Sequence, residues 1–129
     1  MRRLIVLAAL LLLPVAAVTG ADLPARTVSQ SGVTVEVTPR ALTGPSWEFG
    51  VTLNTHSQEL KDDLAKSAIL VLDGGRTVMP LAWEGAAPGG HHRKGVLRFK
   101  APAAQPAEIE LRITRPGEAA PRSFRWNLR

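Results

Sequence analysis

All three histidines fall in two short segments, His56 in Asn54-Thr55-His56-Ser57 and His91 with His92 in Gly89-Gly90-His91-His92-Arg93. Neutral imidazole is the commonest side-chain ligand of zinc and copper, and sites of two or three histidines with an open position hold either ion. His56, His91 and His92 are therefore the candidate metal ligands, with Glu84, Asp62, Asp63 or Met79 available to complete a shell. Adjacent residues in extended chain point to opposite sides, so His91 and His92 reach one ion together only if the chain kinks at Gly90. A competing reading makes the same residues loop braces. Their ring nitrogens would bond backbone carbonyls, and Arg93 would pair with Glu84 or an aspartate, because polar side chains at loop corners usually satisfy nearby backbone.

Other chemistries are poorly supplied. The chain has no cysteine, which removes disulfides, thiolate metal sites and a thiol nucleophile. Ser57 follows His56 directly, but adjacency is not triad geometry, and no Gly-x-Ser-x-Gly turn occurs. Gly74-Gly75 and Gly89-Gly90 open no helix, so they are turn glycines rather than phosphate cradles. These absences predict a protein that is not an enzyme.

The amino terminus predicts where the chain goes. Met1-Arg2-Arg3 precedes a run from Leu4 to Val18 broken only by Pro14, followed by the small residues Thr19, Gly20 and Ala21. A basic start, a short apolar stretch and a small-residue exit make a signal peptide over 1–21, with cleavage after Gly20 or Ala21 and a periplasmic or secreted product. An uncleaved anchor is the alternative, though the run is short for a span. Cleavage lowers Lys plus Arg from 16 to 14 against 11 acids, taking the net charge from +5 to +3. That mild excess, with no tyrosine in the chain, argues against nucleic acid. The mature part holds no membrane-spanning run. At about 108 residues it has the size of one domain, expected as a monomer.

What must position the histidines is a set of strands. Residues 22–31 are polar and aperiodic and predict a flexible lead-in, with one domain over 32–129. Val33, Val35 and Val37 alternate with polar residues, and Trp47, Phe49, Val51 and Leu53 do so again, leading straight to His56. Leu60 and Leu64, four apart among charges after Ser57 as N-cap, predict one or two helical turns between Ser57 and Ala65. Ala68 to Leu72, the turn Asp73-Gly74-Gly75-Arg76 and a return over Thr77 to Trp83 make a hairpin whose Pro80 marks an edge strand. A loop follows over Glu84 to Lys94, then strands at Val96 to Phe99, Glu108 to Thr114 and Ser123 to Leu128. About seven short strands and little helix predict an all-β, immunoglobulin-like antiparallel sandwich, with a small barrel as the alternative. The expected core is Trp47, Phe49, Val51, Leu53, Ile109, Leu111, Phe124 and Trp126.

In that sandwich order the second and fifth strands are antiparallel neighbours, which puts the end of one beside the start of the other. His56 would then meet His91 and His92 at one rim. Thr55-His56-Ser57, Trp83-Glu84-Gly85, Gly89-Gly90-His91-His92-Arg93 and Gly95-Val96-Leu97-Arg98-Phe99 together resemble a family of small exported bacterial and archaeal domains of uncharacterised function. The resemblance spans about Val33 to Leu128 and implies a compact β-sandwich, with no activity, ligand or residue role to carry over. Two functions compete. One is an exported domain binding copper or zinc through the histidine rim, and the other is an envelope binding or structural module, contacting a protein partner, whose histidines only brace the loop.

Overall fold

In the computed structural model, which describes residues 23–129, the alternating segments pair into two antiparallel sheets. The expected signal peptide, 1–21, lies outside the described residues. The strands in chain order are β1 (Arg26–Gln30), β2 (Val33–Ala41), β3 (Ser46–Thr55), β4 (Ala68–Leu72), β5 (Thr77–Val78), β6 (Ala82–Gly85), β7 (His92–Lys100), β8 (Glu108–Ile113) and β9 (Arg122–Asn127), with a short α-helix, α1 (Leu64–Ser67), before β4 and a 3-10 turn, Asp73–Gly75, after it. One sheet runs β1-β2-β3-β7-β6 and the other β5-β4-β8-β9. Setting β1 aside, β2-β3-β7-β6 facing β5-β4-β8-β9 is the Greek-key order of the immunoglobulin sandwich. Among the described residues, no helix is long and apolar enough to cross a membrane.

The core follows from the period of two. Val33, Val35, Val37, Trp47, Phe49, Val51, Leu53, Leu97 and Phe99 bury from the first sheet, against Leu70, Leu72, Ile109, Leu111, Ile113, Phe124 and Trp126 of the second. All eight core residues expected from the sequence are buried. Phe49 sits at the centre, edge-on to Phe99 at 5.7 Å between centroids and tilted against Trp126 at 5.9 Å. Contacts of this kind add to the area they bury.

Four local expectations are corrected. Most of the expected flexible lead-in is instead a strand, because Arg26–Gln30 pairs with β2 along its whole length. Ser31 and Gly32, both at positive φ (51° and 76°), form the two-residue connection that suits the twist of a hairpin. Only Val28 of β1 is half-buried, so the strand carries no apolar alternation to read. The helix is displaced to Leu64–Ser67, with Asp63 rather than Ser57 at its N-cap. In the stretch ahead of it Leu60, Asp62 and Leu64 are buried while Lys61 and Asp63 are exposed, an extended pattern that the four-residue leucine spacing fits as well as it fits a helix.

The expected strand Thr77 to Trp83 splits at Pro80 into β5 on one sheet and β6 on the other. Each is an edge strand, the placement proline tolerates. The expected loop Glu84 to Lys94 shrinks to 86–91, because β7 begins at His92, opposite Asn54 of β3.

Candidate functional site

The histidine rim is built by backbone before any side chain acts. Register pairs Asn54 with His92, and Thr55 N–H donates to His91 O at 3.0 Å. Leu60 N–H donates to Gly90 O at 2.9 Å, and Gly89 N–H returns a bond to Leu60 O at 2.7 Å. The segment after β3 and the loop before β7 are thereby zipped together, and the backbones of His56, His91 and His92 lie on one rim, as strand adjacency requires.

The side chains are arranged differently from a ligand cage. All three imidazoles are exposed. His92 is bonded through Nδ1 to the side-chain amide of Asn54, so Nε2 is the ring nitrogen that this bond leaves unused. His91 lies in the bend just ahead of the strand that His92 opens. Among the described residues, no group of three or more His, Asp or Glu is placed to hold a metal ion. Of the residues considered as further ligands, Asp62 is committed to Arg115, Glu84 to Arg98, and Met79 stands exposed between β5 and β6.

The residue that shapes the rim is Arg93, whose side chain the sequence reading placed with a carboxylate. It shares the inward parity of Leu97 and Phe99 and is 1% exposed. Its Nη1 donates to Asp62 O at 2.7 Å and to Leu60 O at 3.4 Å, and its Nη2 to Ala86 O at 3.1 Å. Its guanidinium carbon lies 5.7 Å from the centroid of the Trp83 ring, within the range of cation–π attraction. Trp83 in turn donates Nε1–H to Ala86 O at 2.9 Å and covers Gly95, where a Cβ would come within 2.7 Å of the indole. Arg93 therefore clasps both loops by their carbonyls, a use for which the planar fork of donors suits arginine far better than lysine. The inward parity of position 93 is the signal that could have revealed it.

Beside it runs a chain of buried ion pairs. Arg115 holds both oxygens of Asp62 at 3.0 Å and reaches Glu118 at 3.3 Å. Glu118, its side chain 5% exposed, accepts from Arg122 at 2.9 and 2.8 Å. Arg122 also donates to Val28 O and Val33 O from Nη1 and to Gln30 O from Nη2, at 3.0, 2.8 and 2.8 Å. The Arg122 hydrogen bonds hold the Glu118 carboxyl below its ordinary value, against the opposing effect of burial, with the charge of Arg115 adding to the shift. Hydrogen bonding this complete is what makes such pairs tolerable inside a protein. Arg93, Arg115 and Arg122 with Asp62 and Glu118 thus tie the segment after β3, the β8–β9 turn and the β1–β2 hairpin into one braced end of the sandwich. No protein-family model, curated protein or solved structure matches this chain.

Proposed function

We propose that the chain is an exported, non-catalytic interaction module that presents its histidine rim to a protein partner in the bacterial envelope. The observation that carries this reading is the internal clasp of Arg93 on Leu60 O, Asp62 O and Ala86 O. It fixes both rim loops from inside, and His56, Glu59 and His91 stand exposed on that frame. Rigid loops at the end of a sandwich are a common way for this architecture to make contacts. A photoreactive residue in place of His91 or Glu59 should give discrete adducts in the exporting cell, and the same group in place of Glu36 on the outer face of β2 should give none. Equal labelling from all three positions would defeat the proposal. Intact mass of the exported chain should show a start at Ala21 or Asp22, whereas retention of Met1 would mean the apolar segment stays as an anchor.

A metal-binding reading is favoured by one feature, the placement of His92 on the same rim as His56, with its Nε2 not engaged by Asn54. With those two ligands, and His91 if the chain turns at Gly90, copper or zinc would sit at an open site. Dialysis against a chelator decides between the readings. The interaction-module reading expects the chain to keep less than about 0.1 equivalent of either ion, and stoichiometric copper lost in His92→Ala would establish the metal function instead.

A further inference from the structure

At the end of the sandwich away from the histidine rim, the outer face of the second sheet holds a cleft of about 460 Å³, within the range of small-ligand sites. Strand register builds its floor. Val71, Glu110 and Arg125 form one cross-strand row, and Glu108 with Asn127 forms the next row on that face. The turn after β4 flanks the cleft at Asp73 and Gly74, and Arg26, whose Nε donates to Arg125 O at 3.2 Å, flanks it beyond β9.

The charged groups here divide into those already engaged and those that are not. Both oxygens of Asp73 accept backbone N–H groups, from Ala107 and Glu108. Glu110, 8% exposed, accepts from Arg112, Ser123 and Arg125. Arg26 and Arg125 each use only Nε, so both forks keep their terminal nitrogens. Among the described residues, neither Arg26 nor Glu108 makes an ion pair. One unpaired cation and one unpaired carboxylate therefore share the cleft, with the exposed amide of Asn127 beside Glu108 and half-buried Val71 as apolar floor.

We infer that this cleft binds a zwitterion, an α-ammonium and an α-carboxylate carried on an apolar body, as in a free amino acid or a short peptide. The carboxylate takes the terminal nitrogens of Arg26 and Arg125, donors whose planar fork matches it. The ammonium takes Glu108 and the Asn127 side-chain oxygen, and the apolar body lies on Val71. A simple anion would leave Glu108 unanswered and a simple cation would leave Arg26 so, and the balanced set thus selects a ligand with both charges. The site is independent of the histidine rim.

Amide-resolved NMR of the exported chain with leucine and with leucyl-leucine tests this. Shifts should centre on Val71, Glu110, Arg125 and Asn127, with a Kd of about 1 mM or below for at least one of the two, and the tighter ligand identifies the source. N-acetyl-leucine, which lacks the ammonium, and leucinamide, which lacks the carboxylate, should each bind at least about tenfold more weakly than leucine. Glu108→Gln removes no ion pair of the fold; it should weaken leucine about tenfold and leave N-acetyl-leucine unchanged. Arg26→Gln should weaken leucine equally and leave leucinamide unchanged, a crossed pattern that a merely structural role would not give. No shift at about 10 mM of either zwitterion, shifts centred on the histidine rim instead, or either analogue binding as tightly as leucine would overturn the inference.

Discussion

Replacing Arg93 by alanine removes the one side chain that touches both rim loops from inside, and its cost can be worked from what each acceptor retains. Leu60 O keeps the bond from Gly89 N–H, and Ala86 O keeps the bond from Trp83 Nε1–H. Asp62 O loses its 2.7 Å partner, which costs about 1 to 3 kcal/mol for a carbonyl stranded away from water. The emptied space beneath Trp83 and the lost cation–π contact add about 2 to 3 kcal/mol, by analogy with large-to-small core changes. Against this stands relief from burying a charge whose Nε has no partner. The net expectation for Arg93→Ala is a loss of about 3 to 5 kcal/mol out of the 5 to 15 available to a domain. Arg93→Met fills the space without the donors and should lose only about 1 to 3 kcal/mol, mainly the stranded Asp62 carbonyl. Urea unfolding followed by tryptophan fluorescence gives both values, and hydrogen exchange at Leu60 and Gly89 reports the zipped loops directly. A loss under about 1 kcal/mol in Arg93→Ala, or alanine and methionine equally damaging, would refute the reasoning.

Further consequences can be measured in the same way. Gly85→Ala places a Cβ 2.5 Å from Gly95 Cα and 2.6 Å from Lys94 O, both backbone, so it should detach β6 and cost about 1 to 3 kcal/mol; an unchanged urea midpoint would show that β6 yields freely. Trp47→Ala empties a buried site and should cost about 3 to 5 kcal/mol in the same melt, and a loss below about 1 would mean the ring contributes little. Because the folded Glu118 carboxyl lies below its ordinary value of 4.5, its stabilisation is complete above that pH and is lost as pH falls through the folded value. Glu118→Gln should therefore be clearly weaker than the parent at pH 7, and the gap should narrow as pH falls below 4.5. A gap that stays constant with pH would place its origin outside this ionisation.

The sandwich was legible because its core strands announce themselves one residue in two, as Val33, Val35 and Val37 do, or Trp47, Phe49, Val51 and Leu53. The meeting of Asn54 and His92 could be reasoned from strand order alone. What stayed hidden depends on hydrogen bonds rather than hydrophobicity. The strand Arg26–Gln30 buries almost nothing and is held by its ladder and by Arg122. Leu60 and Leu64 suggested a helix because a four-residue spacing satisfies either period, and only the burial of Asp62 between them decides. Arg93, Arg115 and Arg122 were hidden for a different reason: charged residues belong outside by default, and their partners, chiefly carbonyls for Arg93 and for part of Arg122, leave no trace in composition.

The grip of Arg122 on the β1–β2 hairpin also sets an order of events. Val28 O and Gln30 O receive their bonds from a residue more than ninety positions later, and Arg26 and Pro24 find Arg125 and Trp126 at similar separations. A chain that emerges amino end first holds β1 against its sheet with hairpin bonds alone until the final eight residues arrive. Closing so long a loop is slow, so the bonds from β9 reach β1 late, after its local hairpin with β2. The carboxyl-terminal strand is thus the latch on the amino-terminal one, and a chain cut short before Arg122 keeps most of its core residues yet stays open along that side.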